Sequence, residues 1–441
     1  MLDPTRRRRV LSLALPIIGG MVSQNVLNLV DTAMVGTLGD AALAGVGLGS
    51  FVNFMAIAFI TGMAAGVQAM AARRVGQGRD TETAIPLNGG LLLAAALGVP
   101  ASIALVALAP YVFPLLQDDP AVTAAGTVYL RWRLVAMAGV GMNFAFRGYW
   151  NAVDRSGLYL RTLLVMHVVN IVLNYLLIFG HLGLPALGVA GAGIGTAVST
   201  FVGTAYYFAL GVRHARIAGF LRGLPDRVTI RQMLRLAIPA GLQQFFFAAG
   251  MTVFFTLVGR VGTAELAAAN VLMNLMLVAI LPGIGFGIAA ASLVGQALGR
   301  GDPADAKAWG WDVMRLAALL MGVVALPALF FPDLLLRPFI HNADTLLLAA
   351  DPLRIVAATL AFEAVGTVLL NALLGAGDSR TVMIVSIGVQ WGVQLPMVWF
   401  VGPHSGGGLV AIYAVWVGAR VGLAVLLAAV WHRGAWARIA V

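Results

Sequence analysis

Cysteine is absent from this 441-residue chain, and lysine occurs only once, at Lys307. The lack of cysteine excludes disulfides and thiolate metal sites. Charged residues are also scarce: they make up 10% of the sequence, against about 25% in soluble domains. Because 60% of the residues are hydrophobic, the composition predicts an integral membrane protein.

Several catalytic motifs are missing as well. The sequence contains no GxxxxGK[ST] phosphate loop, no HExxH and no GxSxG, and its six histidines are scattered. These absences argue against an enzyme, a metal site or an organic cofactor. His167 beside Asn170 does not amount to the nucleophile–base pair that an intramembrane enzyme needs. Any energy that the protein uses would then come from an ion gradient or from a partner.

Long apolar segments recur from end to end, each near the 20 or so residues that cross a bilayer. We count twelve of them: 10–36, 44–72, 84–113, 123–152, 160–181, 187–213, 232–258, 265–297, 307–331, 347–374, 381–402 and 408–432. The predicted fold class is therefore an all-α polytopic membrane protein with twelve transmembrane helices.

The basic residues cluster on one side of the predicted membrane. If the N-terminus is cytoplasmic, most of the 28 Lys and Arg residues lie inside, including those of the central connection 213–232. This bias predicts cytoplasmic N- and C-termini in a cell membrane of the bacterial inner-membrane type. The net charge of +10 thus reflects the orientation of the chain in the lipid bilayer, with a contribution from contact with anionic lipid. We expect no nucleic-acid partner.

The two halves of the chain resemble each other. Ala14-Leu15-Pro16 recurs 223 residues later as Ala237-Ile238-Pro239, and four further landmarks recur at nearly the same separation. Because each copy holds an even number of spans, both copies have the same topology and form a parallel internal repeat. We therefore predict two six-helix bundles, 1–221 and 222–441, with a substrate site in a central cleft.

Two of the 18 acidic residues lie near the middle of a span, Asp31 and Glu363. A carboxylate at the centre of a membrane helix costs roughly 2.5–3.5 kcal/mol, and its presence is a functional hypothesis by default. In general, burial raises the pKa of a carboxyl group, so such an acid can carry a proton, or can bind Na⁺ with neighbouring oxygens. The other acids lie in connections or near helix ends, where solvation or N-capping accounts for them.

Polar side chains accompany these acids at helical spacing. Gln24, Asn28 and Asp31 share one face of the first helix, and Asn170 and Asn174 share a face of the fifth. The helix-5 pair is a plausible partner for the acid, although interhelical hydrogen bonding alone also explains it.

The second half has its own set of polar and aromatic residues. Gln394 stands at the repeat counterpart of Asn170, and Phe254 at that of Asp31. Phe254 belongs to a cluster of Phe and Met residues, which is typical either of an adaptable pocket or of an ordinary core.

Taken together, these features resemble the multidrug and toxic compound extrusion (MATE) transporters. The residues that carry the resemblance are Ala14-Leu15-Pro16, Asn28-Leu29-Val30-Asp31 with Met34-Val35-Gly36, Val75-Gly76-Gln77-Gly78, Val294-Gly295-Gln296 and Gly375-Ala376-Gly377-Asp378. The resemblance covers essentially the whole chain. It implies two lobes forming a V, and export of small organic compounds, cationic or amphipathic, against inward H⁺ or Na⁺ flow by a monomer.

Within that family the chain looks most like the DinF-like branch, in which the helix-1 acid is the coupling residue. The resemblance implies a coupling network of Asp31 with Gln24, Asn28, Asn170, Asn174 and Thr196. The branch's second acid is replaced by Asn174. One acid suits protonation better than Na⁺ binding, so we predict a proton antiporter, with Na⁺ coupling as the alternative.

Glu363 resembles a cation-binding acid of the NorM-like branch, but the helix-7 acid that accompanies it there is missing. Glu363, Gln394 and Phe254 are therefore predicted as secondary cation or substrate contacts. A lipid-linked precursor flippase of the wider superfamily is the remaining alternative. Such a flippase would need basic residues in the middle of the membrane. These are mostly missing, and Arg147 and Arg420 are the nearest candidates.

Overall fold

A computed structural model describes residues 3–340 and 342–439, and this part of the chain consists of helices joined by short connections, without β-strands. The α-helices are α1 (Pro4–Gly36), α2 (Asp40–Thr61), α3 (Met63–Gly76), α4 (Ile85–Val112), α5 (Pro120–Val135), α6 (Met137–Ala152), α7 (Ser156–Phe179), α8 (Val189–His214), α9 (Arg227–Gly259), α10 (Thr263–Gly299), α11 (Pro303–Phe330), α12 (Pro332–Leu336), α13 (Ala343–Ala376), α14 (Ser379–Val389), α15 (Leu395–Trp399) and α16 (Gly408–Arg433). The predicted all-α fold class is confirmed.

Helices stand at all twelve predicted spans, and ten stretches of the described residues are long and apolar enough to cross a membrane. The other two are the predicted spans 123–152 and 187–213. The first is divided into α5 and α6 at Ala136, and the second forms α8, which is rich in Gly, Ser and Thr.

The helix boundaries reproduce the internal repeat. Both α1 and α9 have 33 residues, begin 223 positions apart and contain the matching prolines Pro16 and Pro239. The pair α2–α3 ends at Gly76, and α10 ends at Gly299, again 223 positions later. A break at Gly62 divides α2 from α3, whereas the corresponding α10 is continuous. The two halves have therefore diverged locally without losing register.

The chain packs as two compact units. The N-terminal unit is Gly19–Gly241, and the C-terminal unit is Leu242–Val441 together with Met1–Ile18. The first turns of α1 lie in the C-terminal core, where Leu13 and Ala14 are buried in one cluster with Phe286. Compact packing thus divides α1 and α9 within their length, while the predicted lobes 1–221 and 222–441 describe the sequence repeat.

Candidate functional site

Asp31 lies in the last two turns of α1 and is half-buried in the N-terminal unit. The side-chain nitrogen of Asn174, on α7, donates a hydrogen bond to Asp31 Oδ1 over 2.8 Å. Asn174 is completely buried, so this amide belongs to the interior of the unit and not to its surface. The structure therefore places the acid of α1 beside the amide of α7. This helix is the fifth predicted span, and the sequence suggested its amide as the partner of the acid.

A chain of hydrogen bonds fixes the orientation of that amide. Asn170 Nδ2 donates to Thr196 Oγ1 (3.1 Å) and to Ser199 Oγ (3.4 Å), both on α8. Asn170 Oδ1 therefore points toward the next turn of its own helix and accepts a hydrogen bond from Asn174 Nδ2 (3.2 Å). Because Asn170 presents only an acceptor there, Asn174 has to offer its nitrogen, which also reaches Asp31.

The remaining atom of this amide is unusual. Asn174 Oδ1 is buried and has no hydrogen-bond partner within the described residues. It lies against Gly195 of α8, where an added Cβ would overlap it. An unsatisfied buried acceptor costs about 1–3 kcal/mol, which indicates that this site is not built for stability alone.

Gln24 and Asn28, the other predicted residues of α1, belong to a separate chain of hydrogen bonds. Gln24 Nε2 donates to Asn28 Oδ1 (3.2 Å), and Gln24 Oε1 lies 3.2 Å from His167 Nε2. Because that oxygen only accepts, His167 Nε2 carries the proton. In the neutral imidazole, Nδ1 then accepts from the Ser23 hydroxyl at 2.6 Å. The six residues predicted for the coupling network are thus divided between two sets of hydrogen bonds, one with Asp31, Asn174, Asn170 and Thr196 and one with Gln24 and Asn28.

Glu363 lies in the C-terminal unit and is already paired. Arg420, on α16, donates from Nε to Glu363 Oε2 over 2.7 Å and from Nη2 to Glu363 Oε1. The Glu363 side chain is only 6% exposed, and Thr367 Oγ1 donates to the same carboxylate over 3.4 Å. A cation of the chain itself thus occupies both oxygens of this predicted cation contact.

The other two predicted C-terminal contacts lie in different surroundings. Phe254 is fully buried in a hydrophobic cluster, with its ring 4.8 Å from that of Trp416. Gln394 lines a pocket of this unit, in the π-helical turn Gln390–Gln394 between α14 and α15. Glu363 lines a neighbouring pocket of the same unit, beside Trp416 and Arg420, so two of the three predicted contacts lie at pockets and Phe254 does not.

Three contacts that complete these sites are not among the predictions: Ser199 with Asn170, Gly195 with Asn174, and Arg420 with Glu363. Ser199 follows Thr196 by three residues and so lies on the same helical face, which is a signal that spacing contains. The pairing of Arg420 with Glu363 joins residues 57 positions apart on different helices, for which spacing contains none.

Comparison with known proteins gives these sites a context. The MatE family profile matches residues 16–176 and again 239–400. The two matches begin 223 positions apart, at Pro16 and Pro239, and so follow the internal repeat.

Named relatives match over nearly the full length. The chain is 31% identical over 432 residues to a probable multidrug resistance protein NorM of Pseudomonas putida, covering 95% of this chain and 92% of that one. It is 29% identical over 437 residues to a protein of the same description from Mesorhizobium japonicum, covering 96% and 92%.

Solved structures share the fold. A multidrug resistance MATE family transporter of the MOP superfamily, in an outward-facing conformation, aligns with a TM-score of 0.90 and 20% identity over 99% of this chain and 97% of that one. A MOP superfamily transporter from Pyrococcus furiosus aligns with a TM-score of 0.88 and 20% identity over 99% and 97%. The chain therefore belongs to the MatE family and is a multi-pass membrane transporter, not an enzyme.

Proposed function

We propose that this transporter exports organic compounds in exchange for protons, and that Asp31 is the residue that binds the coupling proton. The observation that carries the proposal is the hydrogen bond from Asn174 to Asp31, whose direction is fixed by Asn170. It joins the acid of α1 to a buried polar network of α7 and α8, so a change of charge on Asp31 changes the packing of three helices.

The orientation of Asn174 suggests how protonation acts. The amide donates to Asp31, which favours the deprotonated, acceptor-only carboxylate. A protonated Asp31 carries an O–H that needs an acceptor, and the unpartnered Oδ1 of Asn174 is the acceptor at hand. Protonation thus favours rotation of the amide, which reverses the direction of its bond to Asp31 and breaks its bond to Asn170 within α7.

A single acid favours a proton over sodium. Asn174 stands where the DinF-like branch has a second carboxylate, and Na⁺ prefers a site with more negative charge and several oxygens. We therefore assign the chain to the DinF-like manner of coupling, although the relatives named above are called NorM. Sodium coupling is the alternative that the experiment below separates.

We also propose the membrane, the orientation, the substrate class and the oligomeric state of this transporter. The Arg distribution favours an inner membrane with both termini in the cytoplasm. Relatives described as multidrug resistance proteins support small organic substrates for this chain. We propose that these substrates are cationic or amphipathic and that the working unit is a monomer.

The test is transport in proteoliposomes. Ethidium movement is measured with an imposed pH gradient in sodium-free buffer for the wild type, Asp31→Asn and Asp40→Asn. Asp40 is the control because it is an exposed acid at the start of α2, outside the network. We expect pH-driven transport in the wild type and in Asp40→Asn and none in Asp31→Asn. Unchanged transport in Asp31→Asn, or transport only with sodium, contradicts the proposal.

A further inference from the structure

The helices α7 and α8 pack against each other in an antiparallel register that two close contacts define. A Cβ added to Gly195 of α8 would overlap Asn174 Oδ1 of α7, and a Cβ added to Gly203 would overlap Met166 Sδ. Eight residues forward along α8 are thus matched by eight residues back along α7. The start of α7 and the end of α8 therefore lie at the same end of this helix pair.

Four basic residues meet at that end. Continued by eleven residues, the same register pairs Arg155, which immediately precedes α7, with His214, the last residue of α8. Arg213 precedes His214, and Arg161 lies in the second turn of α7, with its guanidinium carbon 5.9 Å from the centre of the Tyr206 ring. All four basic side chains of this basic cluster are exposed, and none forms an ion pair within the part of the chain that the structure describes.

The charges of the basic cluster are close enough to act on one another. His214 lies just outside the membrane-spanning segment predicted for α8, and its pKa is lowered by desolvation and then by the positive charges of the three arginines of the cluster. The acid nearest in the chain, Asp154, can compensate only one of those arginines. Because like charges held together repel each other, an anion placed among them is bound favourably.

An exposed apolar surface leads from the basic cluster into the membrane. Leu164, Val168 and Val172 follow Arg161 at helical spacing, so these side chains share one face of α7. The three apolar side chains are exposed, and so is Phe201 of α8, which the antiparallel register places beside Val168. In a membrane protein, a surface of this kind contacts the acyl chains of lipids.

We propose that the basic cluster binds the phosphate of an anionic phospholipid, whose acyl chains lie on this apolar surface of α7 and α8. Guanidinium groups match the geometry of phosphate oxygens, and the amphipathic ring of Tyr206 suits the depth of the headgroups. A soluble anion would use the same cations but would leave the apolar surface without a partner. The proposed topology also places this end of the helix pair at the cytoplasmic leaflet, where basic residues attract anionic lipids.

A lipid bound there joins the ends of the two helices that carry the polar network. Asn170 and Asn174 belong to α7, and Thr196 belongs to α8. Because a ligand that binds the folded state stabilises it, an anionic phospholipid should raise the Tm of the protein.

Lipid binding is measured on the purified full-length protein in detergent by native mass spectrometry. Phosphatidylglycerol and phosphatidylcholine with the same acyl chains are titrated separately. A basic residue near an anionic headgroup contributes about fivefold in affinity, so we expect phosphatidylglycerol to bind the wild type at least about tenfold more tightly than phosphatidylcholine. Millimolar inorganic phosphate should not displace it, because inorganic phosphate has no acyl chains to bury.

Paired variants assign that preference to the basic cluster. Arg161→Gln with Arg213→Gln should weaken phosphatidylglycerol by about 25-fold, leave phosphatidylcholine unchanged and abolish the rise in Tm. Arg161→Lys with Arg213→Lys should retain most of the preference, because both charges remain. Arg7→Gln with Arg8→Gln is the matched control, since it removes the same charge from two exposed arginines of α1.

Three results would overturn the proposal. Equal affinities of the two lipids for the wild type would show that the headgroup charge is not recognised. Displacement of phosphatidylglycerol by inorganic phosphate would identify a site for a soluble anion. An equal loss of affinity in the α1 control would mean that the lipid responds to total charge and not to the basic cluster. These measurements involve no ion gradient and no transported compound, so they are independent of the proposed proton coupling.

Discussion

Asn174 presents its nitrogen to Asp31 and leaves its oxygen buried without a partner among the described residues. Asn170 enforces this arrangement, because its own nitrogen is turned toward Thr196 and Ser199. The amide is thereby a donor matched to an ionised acid. It has a second orientation, which suits a protonated acid at the cost of the Asn170 bond.

Replacing Asn174 by leucine removes the donor while keeping the volume. We expect pH-driven ethidium transport to fall by roughly tenfold, because a hydrogen bond to a charged group is worth about 1.5–3 kcal/mol. Asn25→Leu is the control, since the Asn25 side chain donates only to the backbone oxygen of Met21 in its own helix. Equal transport by the two variants would mean that Asn174 takes no part in coupling.

Gly195 tests the same contact from the other side. A Cβ at this position would overlap Asn174 Oδ1, so Gly195→Ala should displace the amide from Asp31 and abolish most transport. Gly47→Ala on α2 is the control, because a Cβ there meets open space. Initial transport rates of both variants, with the elution profile in size-exclusion chromatography as the measure of folding, decide the matter. Wild-type rates in Gly195→Ala would refute the predicted overlap.

The N-terminal network was accessible to sequence reasoning for a physical reason. Helical spacing puts Gln24, Asn28 and Asp31 on one face, and a polar face in an apolar helix has to meet polar partners. Those partners are also four residues apart, at Asn170 and Asn174. What spacing does not contain is the rotation of each amide, which depends on Ser199 and Gly195 of a third helix.

The ion pair in the C-terminal unit predicts a stability pattern. Glu363→Gln leaves Arg420 without its counter-charge, and removing one partner of a buried pair destabilises by about 3–5 kcal/mol. The double variant Glu363→Gln with Arg420→Gln should recover much of the thermal stability, measured as Tm in detergent.

A matched control for this pair lies on the surface. Arg354 Nη1 lies 2.9 Å from Asp351 Oδ1, but the Asp351 and Arg354 side chains are 65% and 48% exposed. Asp351→Asn should therefore change stability by less than about 1 kcal/mol. If Glu363→Gln is as stable as Asp351→Asn, the buried pair is not structural and Glu363 is free to act as a cation site.

Restoring the second acid should change the ion. Asn174→Asp places two carboxylates beside each other and adds oxygen ligands, so we expect sodium to stimulate ethidium transport in this variant but not in the wild type. Transport rates at fixed pH, with sodium chloride compared against choline chloride, measure the effect. Absence of sodium stimulation would show that acid count does not set ion choice here.

The C-terminal half resisted prediction more than the N-terminal half. Phe254 and Glu363 stay predicted as secondary contacts, and the structure adds that Phe254 packs on Trp416 inside a core and that Glu363 is held by Arg420. Apolar runs do not indicate which side of a helix faces its neighbours. Hydropathy also does not reveal the breaks at Gly62 and Ala136, because both residues lie within continuous apolar segments.

The most direct test of the central claim is proton movement itself. Proteoliposomes are loaded with a pH-sensitive dye, and an ethidium gradient is imposed in sodium-free buffer at zero membrane potential. We predict that ethidium moving down its gradient drives protons the opposite way in the wild type, and that Asp31→Asn moves none. Proton movement that persists in Asp31→Asn, or that is absent from the wild type until sodium is added, would contradict the account.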